Sequence, residues 1–561
     1  MRDVVVIGAG HNALVAACYL ARAGLDVEVV ERDTIVGGAV STVERFPGYL
    51  VDRGASAHIM IRHTGIVEEL RLDECGLVYL DLDPWAFAPF WTGAPGESEQ
   101  VGLTFWTDLD RTCDSISAVC GDKDAVAYHR WAREWAARNE RVFAAFQQPP
   151  HSRTLARHAF TTSRAASAPP GEMARQFLQP ADQMLDEHFA DERLKTALAW
   201  LAAQSGPPPH EPATADLAGW NALMHRLPPG RPVGGSGRLS EALAERLRRT
   251  GGRLRLGDGA ARITRGAAGR ADGVLTASGE HVRARAVLAG CHVLTALALL
   301  GDGERVDRLR RRVRVGNGIG LVVRLATRDL PRYPCAADES AHQGLQLLAP
   351  SRQHLRLAYG DYLARRPPAE PAALVMTSSA VDPSIAPAGR HNVTVWGQWH
   401  AYELSTGERW DDIREREGAR LVAQVDRLAP GFAASVEQMH VQTPADLERE
   451  MGLVRGNVMH VEMGLDAMFA LRPLPELAGY RMPIEGLYLC GASTHPGGGV
   501  FGASGRSAAR VLLRDQGRAR RGKGGAAGLF RGSTARGIGI LRGRLASSRE
   551  RLAGPARKDG S

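Results

Sequence analysis

The turn Gly8-Ala9-Gly10-His11-Asn12-Ala13 constrains this chain more than any other feature, because it lies between the β-branched run DVVVI and the small-residue stretch LVAACYLARAG. Gly8 permits a tight turn, and Gly10 lets main chain approach a pyrophosphate with no Cβ in the way. Ala13 stands where a third glycine is usual, a permitted substitute where a helix packs on a strand. Gly24 suits a left-handed helix C-cap, and DVEVVE then predicts a second strand that closes on Glu31. Strand, glycine turn, helix and strand within about thirty residues is the context a dinucleotide-binding unit requires. The helix N-terminus presents free N–H groups to phosphates. The Glu31 carboxylate can accept from ribose hydroxyls and would repel a 2′-phosphate, which disfavours NADP. A glycine-rich turn beside an ordinary surface Glu is the bland alternative.

Gly37-Gly38 follows Glu31 and predicts a second loop passing close to the ligand. FAD spans farther than NAD, so a second close-approach loop favours the flavin, with a plain turn as the alternative. Near the other end, GLYLCGASTHPGGGVFGASGRSAA reads as an apolar strand, a loop with Pro496 and three glycines, and a small-residue helix starting near Val500. Such a stretch lets main chain approach a large flat ligand and aims a helix dipole at it. Beside a flavin that dipole would stabilise negative charge on the reduced ring.

At 561 residues the chain exceeds one ordinary core, and its texture alternates. The expected architecture is α/β, a Rossmann-like nucleotide domain built from 1–74, 226–300 and 450–513. A substrate domain, α+β in type, is inserted as 75–225 and 301–449. Helical periodicity marks AVAYHRWAREWAARNERVFAAF and LKTALAWLAAQ, while GIGLVVRLA and NVTVWGQ predict strands of a second sheet. Residues 514–561 hold thirteen Lys/Arg against three Asp/Glu, a local +10, so the rest of the chain carries −2 of the net +8. This Gly-, Ala- and Arg-rich tail is expected to be disordered. Loose attraction to anionic lipid through Leu529, Phe530, Ile538, Ile540 and Leu541 is the functional alternative. Basic charge confined to a tail argues against nucleic acid as a partner. Seven scattered cysteines form no CxxC, and no apolar run approaches eighteen residues. A reducing cytoplasm is the natural reading, with the basic tail a candidate for peripheral contact with a membrane surface.

The segments VVVIGAGHNALVAACYLARAG, VERDTIVGGAVSTVERFPGYLVDRGASAH, GNVMHVEMGLDAMFALRPLPEL and GLYLCGASTHPGGGVFGASGRSAA resemble the phytoene-desaturase-related flavoproteins. Within that group the match is closest to the FAD-dependent β-carotene ketolases. It spans residues 3–513, and the group also includes oxidoreductases named for a pyridine-nucleotide-disulfide domain. The resemblance implies a glutathione-reductase/amine-oxidase type of FAD domain, a hydrophobic polyene (carotenoid) substrate, and oxidation at C4 of a β-ionone ring. By motif match it assigns FAD contacts to Gly8, Gly10, Ala13, Glu31, Gly37, Gly38, Gly491 and Val500. One departure is Ala39, where many relatives carry Arg.

Three titratable residues are candidates for chemistry. His495 lies in the glycine loop expected to border the flavin. His460 and Glu462 alternate on an apparent strand and would share one face, as a catalytic or a structural pair. The histidines form no HxxxH, HxxHH or HExxH grouping, so no metal site is expected. Trp131, Trp135 and Phe143 recur at helical spacing, as core or as a lipid-facing entrance. A desaturase that removes hydrogen without adding oxygen is one alternative function. A non-catalytic isoprenoid-binding protein is another, and a pyridine-nucleotide reductase is disfavoured by the missing redox dithiol.

Overall fold

The two β-branched runs flanking the first glycine turn pair as parallel neighbours, Arg2–Ile7 with Val27–Val30, and every residue from Val27 to Val30 is buried. In the computed structural model, which describes residues 1–92, 99–150 and 170–521, they lie at the centre of a parallel sheet. Its order is Leu487–Leu489, His281–Ala289, Arg2–Ile7, Val27–Val30 and Arg253–Arg255. Three separated pieces of sequence thus supply one sheet. An antiparallel meander, Ala260–Arg265 and Ala271–Thr276, continues from the first half of His281–Ala289.

A second, seven-stranded sheet has the order Val436–Gln442, Gly320–Thr327, His391–Gln398, Ala373–Met376, Leu345–Leu348, Ala86–Trp91 and Gln100–Phe105. It is antiparallel except where Leu345–Leu348 runs parallel to Ala86–Trp91. Gly320–Thr327 is buried along its whole length because both faces are covered. Leu321, Val323 and Leu325 pack with Leu421 and Val425 of the helix Trp410–Leu428. The opposite face carries Val322, against Leu447 and Leu453, and the fully buried Arg324.

The helices expected around residues 125–146 and 194–204 form as Asp122–Phe146 and Glu192–Ala203. Trp131, Trp135 and Phe143 all point inward, at 0%, 4% and 4% exposure. The Trp131 indole N–H donates to Met184 Sδ at 3.3 Å, and a Cβ on Gly219 would fall 2.0 Å from the Trp135 ring. These residues are core, and the reading of them as a lipid-facing entrance is corrected. Large aromatic area is worth more buried than exposed, and no neighbour at this helix left that area uncovered.

The described residues up to Ala509 form one compact unit, and those from Arg510 to Arg521 belong to a second. The last helix, Ala503–Arg521, begins three residues beyond Val500 and continues past Arg514, where the basic tail was expected to start. Small, helix-favouring residues and arginines carry it on through Gly517. The apolar residues from Leu529 to Leu541 lie outside the described residues. No helix among those described is long and apolar enough to cross a membrane.

Candidate functional site

Gly8 adopts φ +90° and donates its N–H to Val30 O at 2.8 Å, so the first strand ends by turning away from its neighbour. Only glycine enters that region without strain. The next N–H, of Ala9, donates to Glu31 Oε2 at 2.6 Å, while Asp33 N–H donates to Oε1 at 2.8 Å. Glu31 is thereby fixed at the end of its strand with lone pairs left over for a ligand. The helix His11–Arg22 starts at Gly10 with no side-chain cap, leaving its first N–H groups free. Gly37 N–H donates to Ala9 O at 2.9 Å, and a Cβ on Gly37 would strike Val40 O at 2.1 Å. This ties the second glycine pair across the first turn.

The third position of the turn has a different role. A Cβ on Gly290 would lie 2.5 Å from the Ala13 Cβ, so Ala13 is accommodated because its partner has no side chain. Gly290 also approaches the C-terminal loop, since a Cβ on Gly491 would lie 2.6 Å from Gly290 O. Cys490 N–H donates to Ala289 O at 2.9 Å and extends the parallel pairing into that loop. A Cβ on Gly505 would meet Asn12 O at 2.0 Å, so the last helix crosses the first at backbone contact. Two glycine-rich turns far apart in sequence therefore close on one another.

The cleft between them is lined by Gly8, Gly10, Glu31, Gly37, Gly38 and Gly491, six of the residues expected at the cofactor. Ala13 and Val500 are not among its lining residues. Ala39 lines it, and cationic charge comes instead from the exposed Arg32, which forms no ion pair among the described residues. A Cβ on Gly10 would meet nothing within 4 Å, so the space above it is open. Nε2 of His11 and Oδ1 of Asn12 are buried there with no partner among the described residues. Open space over bare main chain, orphaned polar atoms, free helix N–H groups and a fixed carboxylate suit the ADP half of FAD.

Val500 lies further along the C-terminal loop at φ +57°, an uncommon conformation for a β-branched residue. Phe469 at φ +52° and His460 at φ +67° share it. Each such residue costs on the order of 1–3 kcal/mol, and such strain gathers at functional sites. Between Gly497 and Phe501 no backbone N–H finds an acceptor among the described residues. Those donors suit the polar edge of the flavin ring.

Several aromatic side chains surround this loop. Phe501 stacks on Phe143 at 5.3 Å, and Phe146 meets Phe469 at 5.4 Å. His495 sits between Phe146 and Phe469, with ring centroids 5.6 and 5.8 Å away. Burial pushes its imidazole down to about 3, against a small opposing effect of the Ala145 backbone. His495 is therefore neutral at pH 7. It is not among the residues lining the cleft at Gly8 and Gly491.

His460 does line that cleft. Its Nδ1 is 3.2 Å from Ser493 Oγ, and its ring stacks on His292 at 5.2 Å. His292 accepts from Leu294 N–H through Nδ1 and faces His460 O through Nε2 at 2.9 Å, which fixes the proton on Nε2. Burial holds His292 down at about 4 and His460 well below its ordinary value. Glu462 does not share this face. Residues 457–462 form turns and bends rather than a strand, and the carboxylate pairs with Arg314 at 2.8 Å beside another cavity. The alternation that predicted one face does not apply off a pleated backbone.

Arg472 is fully buried and donates to five carbonyls. These are Met459, Val461, Glu462, Ala467 and Ala492, at 2.6–3.3 Å. Burial lowers its pKa to about 9, and it remains a cation at pH 7. It binds the loop carrying His460 to the loop carrying Gly491.

Residues 14–416 match the model of the flavin containing amine oxidoreductases. The chain belongs to that family. As a member it is an FAD-dependent oxidoreductase, and the cleft described above fits that cofactor. A rat protein, pyridine nucleotide-disulfide oxidoreductase domain-containing protein 2, is 32% identical over 91% of this chain and 93% of its own length. One of the subunits of limonene dehydrogenase from Castellaniella defragrans is 25% identical over 92% of this chain and 95% of its own. Phytoene desaturase of Fusarium fujikuroi is 24% identical over 92% and 90%. Among solved structures, an oxidoreductase from Methanosarcina mazei superposes with a TM-score of 0.61 at 16% identity, covering 91% of this chain and all of that one. That likeness concerns the fold.

Proposed function

We propose that this flavoenzyme oxidises an allylic C–H of an apolar isoprenoid, and specifically that it is a β-carotene 4-ketolase. The observation that carries this reading is the apolar lining beside the C-terminal glycine loop. A Cβ on Gly498 would lie 2.7 Å from Met459 Sδ, and one on Gly499 would meet Met60 Cγ at 3.7 Å and the Phe501 ring at 3.8 Å. Phe146, Phe469 and a neutral His495 continue that lining. Apolar side chains of this kind favour the burial of a hydrocarbon. The names of two relatives, limonene dehydrogenase and phytoene desaturase, describe hydrogen removal from isoprenoid hydrocarbons.

FAD, when bound, supplies a two-electron acceptor for a hydride. In this reading Gly8, Gly10, Gly37 and Gly38 hold its phosphates and ribityl chain, Glu31 its ribose, and Gly491 and Val500 the side of its ring. The aromatic lining orients the polyene and excludes bulk water. The neutral imidazoles of His460 and His495 can accept a proton as the substrate loses one. A ketone requires two two-electron oxidations with a water oxygen added between them. The polyene itself spreads the cationic charge left by hydride loss, so no strong base is needed. A substrate of this kind resides in a lipid bilayer, and peripheral membrane contact belongs to the same proposal.

Expression beside a β-carotene pathway, with pigments identified by mass, tests it. Ketolation gains one oxygen and loses two hydrogens per ring. Loss of hydrogen alone would establish the desaturase reading, which the named relatives favour. Unchanged pigments beside a yellow, FAD-loaded protein would overturn both. Labelled oxygen gas appearing in the ketone would overturn the water step.

A further inference from the structure

Glu462, turned away from the cofactor cleft, opens onto a separate cavity of about 140 Å³ that shares no lining residue with that cleft. Three aromatic rings form one part of its wall. Tyr359 stacks on Tyr362 with centroids 5.6 Å apart and meets Trp399 edge-on at 5.3 Å. Trp399 is held by its indole N–H, which donates to Gly206 O at 2.7 Å, and by a left-handed backbone at φ +58°.

The charged groups at this cavity are Glu211, Glu462 and Arg314. Arg314 is committed, at 2.8 Å from Glu462 and 2.7 Å from Asp466. Glu211 accepts from the Tyr359 hydroxyl at 3.0 Å and has no cationic partner among the described residues. The cavity therefore carries one uncompensated negative charge against an aromatic wall. Burial pushes the Tyr359 phenol up, and Glu211 adds to the effect, so the charge acts where the rings are. An aromatic face attracts a cation electrostatically, most strongly when the cation is weakly hydrated.

We propose that this cavity binds a substituted ammonium head, best a quaternary one, without oxidising it. Tyr359, Tyr362 and Trp399 would contact the alkyl groups, and Glu211 would supply the counter-charge. A free choline-like molecule and a choline-headed lipid carry the same group.

The test uses the FAD-loaded full chain and calorimetric titration. Choline should bind saturably, and its neutral isostere 3,3-dimethylbutan-1-ol should bind at least about tenfold more weakly. Glu211→Gln should remove that difference while FAD content and melting temperature stay unchanged. If this variant does not fold, Tyr362→Leu takes its place, with weakened choline binding expected. Equal binding of choline and its isostere, or no saturable choline binding, would overturn the proposal. So would choline affinity unaltered by the replacements. Phosphatidylcholine vesicles competing with free choline would identify a lipid head as the source. Vesicles that do not compete would assign the site to free ammonium compounds.

Discussion

The cofactor cleft and the aromatic cluster beside the C-terminal loop are built on opposite principles. The cleft is made of main chain. Gly8, Gly10, Gly37 and Gly38 line it with backbone, and the Glu31 carboxylate is pinned there by the N–H groups of Ala9 and Asp33. The cluster is made of side chains. Phe146, Phe469, His495 and Phe501 come from three separated segments and meet through tertiary packing alone. A diphosphate presents the same polar surface in every enzyme that holds it, so a fixed backbone pattern suffices. An apolar substrate is recognised by shape, which any sufficiently large side chains can supply.

The largest expected effect concerns the imidazoles that both regions bury. His11 and His292 are pushed down to about 4, and His495 to about 3, all chiefly by burial. In the unfolded chain these rings titrate near 6.5, so below that pH the unfolded state binds more protons than the folded one. Their contribution is present in full above about pH 6.5 and is lost as pH falls toward 4. Urea midpoints recorded from neutral to mildly acid pH should decline steeply, and a flat profile would show that the rings are solvated.

Arg472→Met should cost at least about 3 kcal/mol, because several buried carbonyls lose their donor. A melting temperature within a degree or so of the parent would show that water replaces the guanidinium. The cleft itself can be split by two glycines. Gly290→Ala drives a Cβ against Ala13 and should destabilise the protein by about 1–3 kcal/mol whether or not FAD is present. Gly10→Ala places its Cβ in open space, so the FAD-free protein should keep its stability while FAD affinity falls more than tenfold, about 1.4 kcal/mol. Equal denaturant midpoints for the two FAD-free variants would break the distinction between room left for a ligand and contact within the fold. Glu31→Gln should weaken FAD by about tenfold in an absorbance titration, since an amide cannot accept from two N–H groups and a ribose together. Trp131→Phe should be the mildest, about 1 kcal/mol, with vesicle association unaffected, since that ring faces the core. Loss of vesicle binding in that variant would restore the entrance reading.

The parts that depend on local backbone were legible from the residues alone. A turn at φ +90° needs glycine at position 8, and the strand–turn–helix–strand order follows from periodicity within a short window. The strand at 487–489 with its glycine loop and the paired strands near 320 and 392 were legible for the same reason. Tertiary structure alone decided which distant residues meet. Ala13 is tolerated because Gly290, far along the chain, lacks a Cβ. His460 and Glu462, two residues apart, face different cavities because the backbone between them bends at φ +67° instead of continuing a pleat. Arg472 reads as an ordinary charged residue until five carbonyls converge on it. Local conformation is set by each residue and its immediate neighbours, whereas these contacts are chosen by the packing of the whole unit.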